Sequence, residues 1–109
     1  MSGNILPWKS SASTLCVGLL TDGWTLDQVD LANPDCSRSF RTEVVFTEPF
    51  DSAPVVHCSL SGFDMDQRDS ARISTIISNV TTTGFVLDIV TWRDTRVYGV
   101  EISWLAIGS

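Results

Sequence analysis

Residues 85–107, FVLDIVTWRDTRVYGVEISWLAI, decide the fold class. Phe85, Leu87 and Ile89 alternate with Val86, Asp88 and Val90. From Val97 onward, Tyr98, Val100, Ile102 and Trp104 fall on one face, while Val97, Glu101, Ser103 and Leu105 fall on the other. A period of two is the side-chain repeat of a β-strand, in which neighbours point to opposite faces. Both runs are rich in β-branched and aromatic residues, which suit a pleated, half-buried surface. Asp94-Thr95 separates them, so a hairpin is expected that brings both strand ends to one edge of the fold.

The same repeat extends upstream. Val56, Cys58 and Leu60 share a face opposite Val55, His57 and Ser59. Turn chemistry separates the runs: Thr21-Asp22-Gly23, Glu48-Pro49-Phe50-Asp51, Ala53-Pro54 and Thr83-Gly84. Six strands are expected, at about 15–20, 41–47, 54–61, 72–80, 84–92 and 97–107. No stretch of about ten residues has a clean amphipathic helical repeat. Short strands with close turn signals predict an all-β, six-stranded antiparallel sandwich. Residues 1–13, rich in Ser and Ala, are expected to be a flexible N-terminal arm, and 14–109 one domain without linker or repeat. Residues 27–40 are the longest irregular stretch, and a loop of that length in a small domain is often functional.

Composition bounds the function. The chain has 109 residues, 43% of them hydrophobic and 18% charged, with a formal net charge of −6, which is the profile of one folded domain rather than a disordered segment. Seven scattered Lys and Arg residues argue against a nucleic-acid partner, because a phosphate backbone is held by clustered cations. No run approaches the ~18 apolar residues of a membrane helix, so no membrane insertion is expected. Lys9 precedes a short apolar stretch, Leu15 to Leu20, but no small-residue cleavage site follows. Cytoplasmic synthesis without a signal peptide is therefore expected, with export by a non-classical route left open. Cys16, Cys36 and Cys58 show no CxxC spacing and have one histidine, His57, for company, so neither a metal nor a cofactor is expected. Reduced thiols are the ordinary reading of them, and a disulfide between subunits is the alternative.

Catalytic constellations are sparse. His57 and Cys58 are strand neighbours and must point apart, so they make a poor base–nucleophile pair. Asp64, Asp66 and Asp69 could supply the two carboxylates of a glycosidase, but Arg68 provides an internal counter-charge, and a solvated turn is the simpler reading. The aromatic pair is more suggestive. Trp92 at one strand end and Tyr98 at the start of the next offer apolar faces for a sugar ring, with polar tips. Arg93 and Arg96 offer donors to hydroxyl or acetyl oxygens. The alternative is structural: Trp92 caps the core and Tyr98 packs inward.

These segments together resemble the H-type lectin domain family, the domain of discoidin C-terminal regions and N-acetylgalactosamine-binding agglutinins. The resemblance is carried by Phe46-Thr47-Glu48-Pro49-Phe50, Pro54-Val55-Val56, Leu60-Ser61-Gly62-Phe63-Asp64 and Asn79-Val80-Thr81-Thr82-Thr83-Gly84-Phe85. It continues through Thr91-Trp92-Arg93-Asp94-Thr95-Arg96-Val97-Tyr98 and Ile102-Ser103-Trp104-Leu105-Ala106-Ile107-Gly108. It covers about residues 40–108, and the first forty match only loosely.

The resemblance implies a sandwich that assembles as a homotrimer or hexamer. It implies binding of galactose or N-acetylgalactosamine in clefts between subunits, no catalysis, and roles such as agglutination or cell adhesion. Carried over by position, Asp35 would accept hydrogen bonds from sugar hydroxyls and Arg72 would donate to the axial 4-hydroxyl. Trp92 and Tyr98 would form the aromatic wall, and Arg93 would lie near the acetamido group, where histidine also occurs. Asp35 read as a turn residue, and Arg72 paired with Asp64 or Asp66, are the structural alternatives. The family disulfide from the first strand is not available, since Cys16 has no cysteine partner in 84–92. The rival function is a structural or adhesion module that keeps the sandwich but binds no sugar.

Overall fold

Two three-stranded antiparallel sheets face each other in a computed structural model that describes residues 8–33 and 35–109. The strands are β1 Lys9–Gly18, β2 Ser37–Val45, β3 Val55–Met65, β4 Ser74–Ser78, β5 Gly84–Trp92 and β6 Val97–Gly108. One sheet has the order β1-β6-β3 and the other β2-β5-β4, so β6 and β5 are the central strands. The all-β, six-stranded antiparallel sandwich expected from the alternation is the observed architecture.

The core follows from the period of two. Phe85, Leu87 and Ile89 of β5 face Val100, Ile102, Trp104 and Ala106 of β6, all buried. Leu87, Ile89 and Ile102 have no exposed surface, and burying each stabilises the fold by roughly 1.5–3 kcal/mol. Phe46, Phe50, Phe85 and Trp104 fill one end with ring centroids 5.0–5.9 Å apart. Trp24 and Leu26 close the opposite end beside Phe40.

Four expectations are corrected. β1 starts at Lys9 and pairs with β6 from Lys9↔Gly108 to Gly18↔Gly99, so residues 9–13 belong to a strand rather than to an arm. Residues 1–7, the rest of the expected arm, lie outside the described residues. β2 begins at Ser37, which leaves 19–36 as the long irregular stretch. The link between β5 and β6 is not a hairpin, because the two strands lie in different sheets and residues 93–96 cross from one to the other. Val97 is fully buried instead of facing outward with Leu105. The register with β3 slips between Asp64↔Gly99 and Met65↔Val97, so Tyr98 is an extra, unpaired residue and the alternation shifts there. Among the described residues no helix is long and apolar enough to cross a membrane.

Candidate functional site

Antiparallel pairing gathers six strand ends at the Trp24 end of the sandwich. Ser37 pairs with Trp92, Ser74 with Val90, Met65 with Val97, and Gly18 with Gly99. The segments 19–36, 66–73 and 93–96 therefore emerge together, and the five residues expected to bind sugar lie in them (Asp35, Arg72, Arg93) or at the strand ends beside them (Trp92, Tyr98).

Trp92 ends β5. It shares its parity with Val86, Asp88 and Val90, opposite to the fully buried Leu87, Ile89 and Thr91. The indole thus lies on the outer side of its sheet, half-buried, and does not cap the core. Arg93 follows in a left-handed conformation, φ 59°. Such a backbone costs a residue with a Cβ roughly 1–2 kcal/mol unless its surroundings fix it. The Arg93 guanidinium lies 3.9 Å from the carboxylate of Asp35, and both side chains are solvent-exposed.

Arg72 lies in the 66–73 segment, held against the crossover. Its Nη1 donates to Asp94 Oδ1 at 2.8 Å and to Thr95 Oγ1 at 3.1 Å. Asp94, not Asp64 or Asp66, is therefore its ionic partner. Its own carbonyl accepts a bond from Thr91 Oγ1 at 2.5 Å, and the Thr95 hydroxyl donates to Ser70 O at 2.6 Å. Buried Thr91 thus ties the chain before β4 to the end of β5, and buried Thr95 ties it to the β5–β6 crossover. The Arg72 side chain keeps 22% of its surface exposed, so it can still offer donors outward.

Tyr98 belongs to a different group. Its hydroxyl donates to Asp66 Oδ2 at 3.0 Å. Asp66 in turn holds Arg68 through two bonds of 2.9 and 2.6 Å, and Asp69 holds Arg96 through two of 2.9 Å. These bonds hold both carboxyls below the ordinary carboxylate value and raise the Tyr98 phenol. The bond from Arg68 is the largest cause for Asp66, that from Arg96 for Asp69, and the bond to Asp66 for Tyr98. Within one chain, then, Trp92 and Tyr98 do not belong to one sheet face. The inter-sheet crossover puts them on strands of opposite sheets.

Of the carboxylates singled out as an acid–base candidate, Asp66 and Asp69 are thus engaged by arginines, while Asp64 is exposed. Among the described residues, no group of three or more His, Cys, Asp or Glu side chains could hold a metal ion. His57 is exposed while Cys58 is half-buried on the inner face, as neighbours on one strand must be. Cys58 donates to Thr75 Oγ1 with sulfur and oxygen 3.5 Å apart. All three cysteines are free thiols, with Cys16 and Cys36 exposed.

The residue missed in the sequence is Arg38. Its Nη1 donates to the carbonyls of Leu26 and Gln28, at 3.0 and 2.7 Å, and its Nη2 to those of Arg93 and Thr95, at 2.8 and 2.7 Å. Burial lowers its pKa, with Asp27, Asp69 and Asp94 opposing the shift. Trp24 Nε1 donates to Val97 O at 2.9 Å and Val97 N to Leu26 O at 2.8 Å, which clasps the same loop to the start of β6. The available signal was weak: an arginine at an inward position of a strand, next to Phe40 in the same repeat.

Comparison with known proteins gives a consistent picture. The family model described as the H-type lectin domain matches residues 41–107, which include Arg72, Trp92, Arg93 and Tyr98 but not Asp35 or Arg38. The chain is 43% identical over 72 residues to a protein from Fuscovulum blasticum, "ATP synthase subunits region ORF 7", a match covering 66% of this chain and 63% of that one. Two solved structures of discoidin II from Dictyostelium discoideum superpose with TM-scores of 0.74 and 0.75 at 22% identity. They cover 93% of this chain but only 37% and 36% of discoidin II. The chain thus spans less than two thirds of the Fuscovulum relative and little more than a third of discoidin II.

Proposed function

Because the chain belongs to the H-type lectin domain family, we propose that it is a carbohydrate-binding lectin that takes galactose or N-acetylgalactosamine in clefts between copies of itself. The observation that carries this reading is the end of β5. Trp92 is turned out of the core, and beside it Arg93 and Asp35 form a loose, exposed ion pair. An outward indole can stack on the C–H face of a sugar. A carboxylate and a guanidinium can take vicinal hydroxyls in charge-assisted bonds. A pair 3.9 Å apart has no tight contact to break before a ligand enters. Arg72, fixed by Asp94 and Thr95, serves as donor to the axial 4-hydroxyl.

Tyr98 shares that end of the molecule but not the Trp92 wall. This supports a cleft whose second side is supplied by a neighbouring copy. One such cleft binds weakly, because a small polar ligand buries little apolar area. A homotrimer or hexamer supplies the avidity that agglutination or cell adhesion needs. We read the domain as a binder rather than a hydrolase because Asp66 and Asp69, two of the three carboxylates that a glycosidase could draw on there, are each held ionised by an arginine. Neither is poised as the protonated general acid that glycoside hydrolysis requires.

Titration calorimetry with galactose, N-acetylgalactosamine and glucose tests the proposal. Galactose is expected to bind about tenfold to a hundredfold tighter than glucose, because an equatorial 4-hydroxyl leaves buried polar groups unpaired at ~1–3 kcal/mol. Trp92→Ala should weaken every sugar, and Asp35→Ala should abolish binding without unfolding the domain. Arg93→His should change mainly the N-acetyl preference. Folded Trp92→Ala and Asp35→Ala variants that bind like the parent would place the site elsewhere. A folded oligomer that binds none of the three sugars would be the structural or adhesion module instead.

A further inference from the structure

Four carbonyl oxygens converge on one guanidinium at the open end of the sandwich. Leu26 and Gln28 belong to the long loop 19–36, while Arg93 and Thr95 belong to the β5–β6 crossover. The loop carries Asp35 and the crossover carries Arg93, the two residues whose side chains meet at 3.9 Å. Arg38 itself sits near the start of β2, in register with Thr91 of β5, so it is anchored to the sheet that it serves. Two irregular segments from distant parts of the chain are thus referred to one rigid point. A planar fork with fixed donor directions suits this task, and a lysine ammonium on a flexible stem does not. Arg38 also lies outside the residues matched by the family model.

We propose that Arg38 is a positioning residue. Through its four carbonyl contacts it sets the spacing between the Asp35 loop and the Arg93 crossover, and so the shape of the sugar cleft. It acts through those segments and does not itself touch ligand. The consequence for sugar rests on the lectin reading above; the mechanical coupling of the two segments does not. A site displaced by about 1 Å loses much of its function, which is why supporting residues of this kind matter.

The test uses the full chain, its Arg38→Lys variant, and Ile77→Val as a control that trims the core away from this end. Amide hydrogen exchange and galactose titration are measured on all three. The expected result is that Arg38→Lys speeds exchange about tenfold or more in 24–28 and 95–97 together, with β5 and β6 interiors unchanged. Galactose affinity should fall about tenfold, as for loss of a charge-assisted hydrogen bond. Ile77→Val should leave the affinity as in the parent. The inference is overturned if only one segment loosens, if neither does, or if both loosen while galactose binds as before. If Arg38→Lys fails to fold, Arg38→Gln, which keeps a planar donor group, is read against the same criteria: 24–28 and 95–97 must loosen together, although the Val97–Leu26 backbone bond remains, and the inference is overturned if they do not. A parent that binds no sugar sinks the lectin reading and, with it, the cleft consequence, while the exchange data still judge the coupling.

Discussion

At the scale of single residues, charge pairing separates the structural carboxylates from the one proposed to bind ligand. Asp66 and Asp69 are each gripped by an arginine, and Asp66 also accepts the Tyr98 phenol, whereas Asp35 is 91% exposed with one loose partner. The sign of the linkage follows. A carboxyl whose folded pKa is depressed contributes stability that is present above its unfolded value, 3.8 here, and lost as pH falls below it toward the folded pKa. The thermal midpoint should therefore drop on acidification below about pH 4. Asp66→Asn, which cannot take up that proton, should flatten the drop. Calorimetric melts of parent and variant across that range check this, and parallel acid limbs in the two proteins would refute it. Trp92, Tyr98 and Arg93 were legible as candidates because they carry their chemistry in their side chains. Their partners were not. Arg38 reaches carbonyls 55 and 57 residues away, and Arg72 reaches Asp94 across 22. A two-residue repeat reports which face a side chain takes, not which loop comes to rest upon it.

Among elements, legibility tracks how much apolar surface each strand buries. β5 spans Gly84–Trp92, as its alternation foretold, because it is central and covered on its inner face by large residues. β1 was foreseen only from residue 15. Its first half, Lys9 to Thr14, is small and polar, and edge pairing through the backbone with β6 makes it a strand. β3 runs on to Met65 because the register slips by one residue after Leu60, so Ser61-Gly62 is a bulge inside a strand where the sequence reads as its end. The start of β5 is constrained by backbone contact rather than by side chains. A Cβ on Gly84 would sit 2.1 Å from the carbonyl oxygen of Val44, so β2 and β5 approach too closely there for any other residue. Gly84→Ala should destabilise the domain by at least the ~1–3 kcal/mol typical of overpacking. It should leave sugar affinity unchanged in the molecules that remain folded, since the contact lies at the far end from Trp92. Urea unfolding alongside a galactose titration checks both halves, and an unaltered midpoint would contradict the first.

For the whole molecule, the unexplained feature is apolar surface on the outer face of the β1-β6-β3 sheet. Val55 lies opposite Ile107, and Leu105 lies between Ala12 and His57 in register. Val55, Ile107 and Leu105 are 64%, 40% and 38% exposed, next to an exposed Trp8. Neighbouring apolar side chains on one antiparallel face, with no strand or loop of the described residues above them, are what a contact between copies leaves bare in a single chain. If copies meet there, the chain should run in light scattering at about 36 kDa, three times 11.9 kDa, or at twice that mass as a hexamer. Leu105→Glu places a carboxylate in the middle of the patch and points away from the core, so it should spare the fold and shift the mass toward one protomer. Sugar binding then becomes the decisive second measurement. A cleft shared between copies, with the Trp92 wall from one and further contacts from another, must lose galactose affinity in proportion to dissociation. A Leu105→Glu monomer that keeps the parent's affinity would show that Trp92, Arg93 and Asp35 suffice within one chain. A parent already monomeric at micromolar concentration would remove the shared cleft altogether.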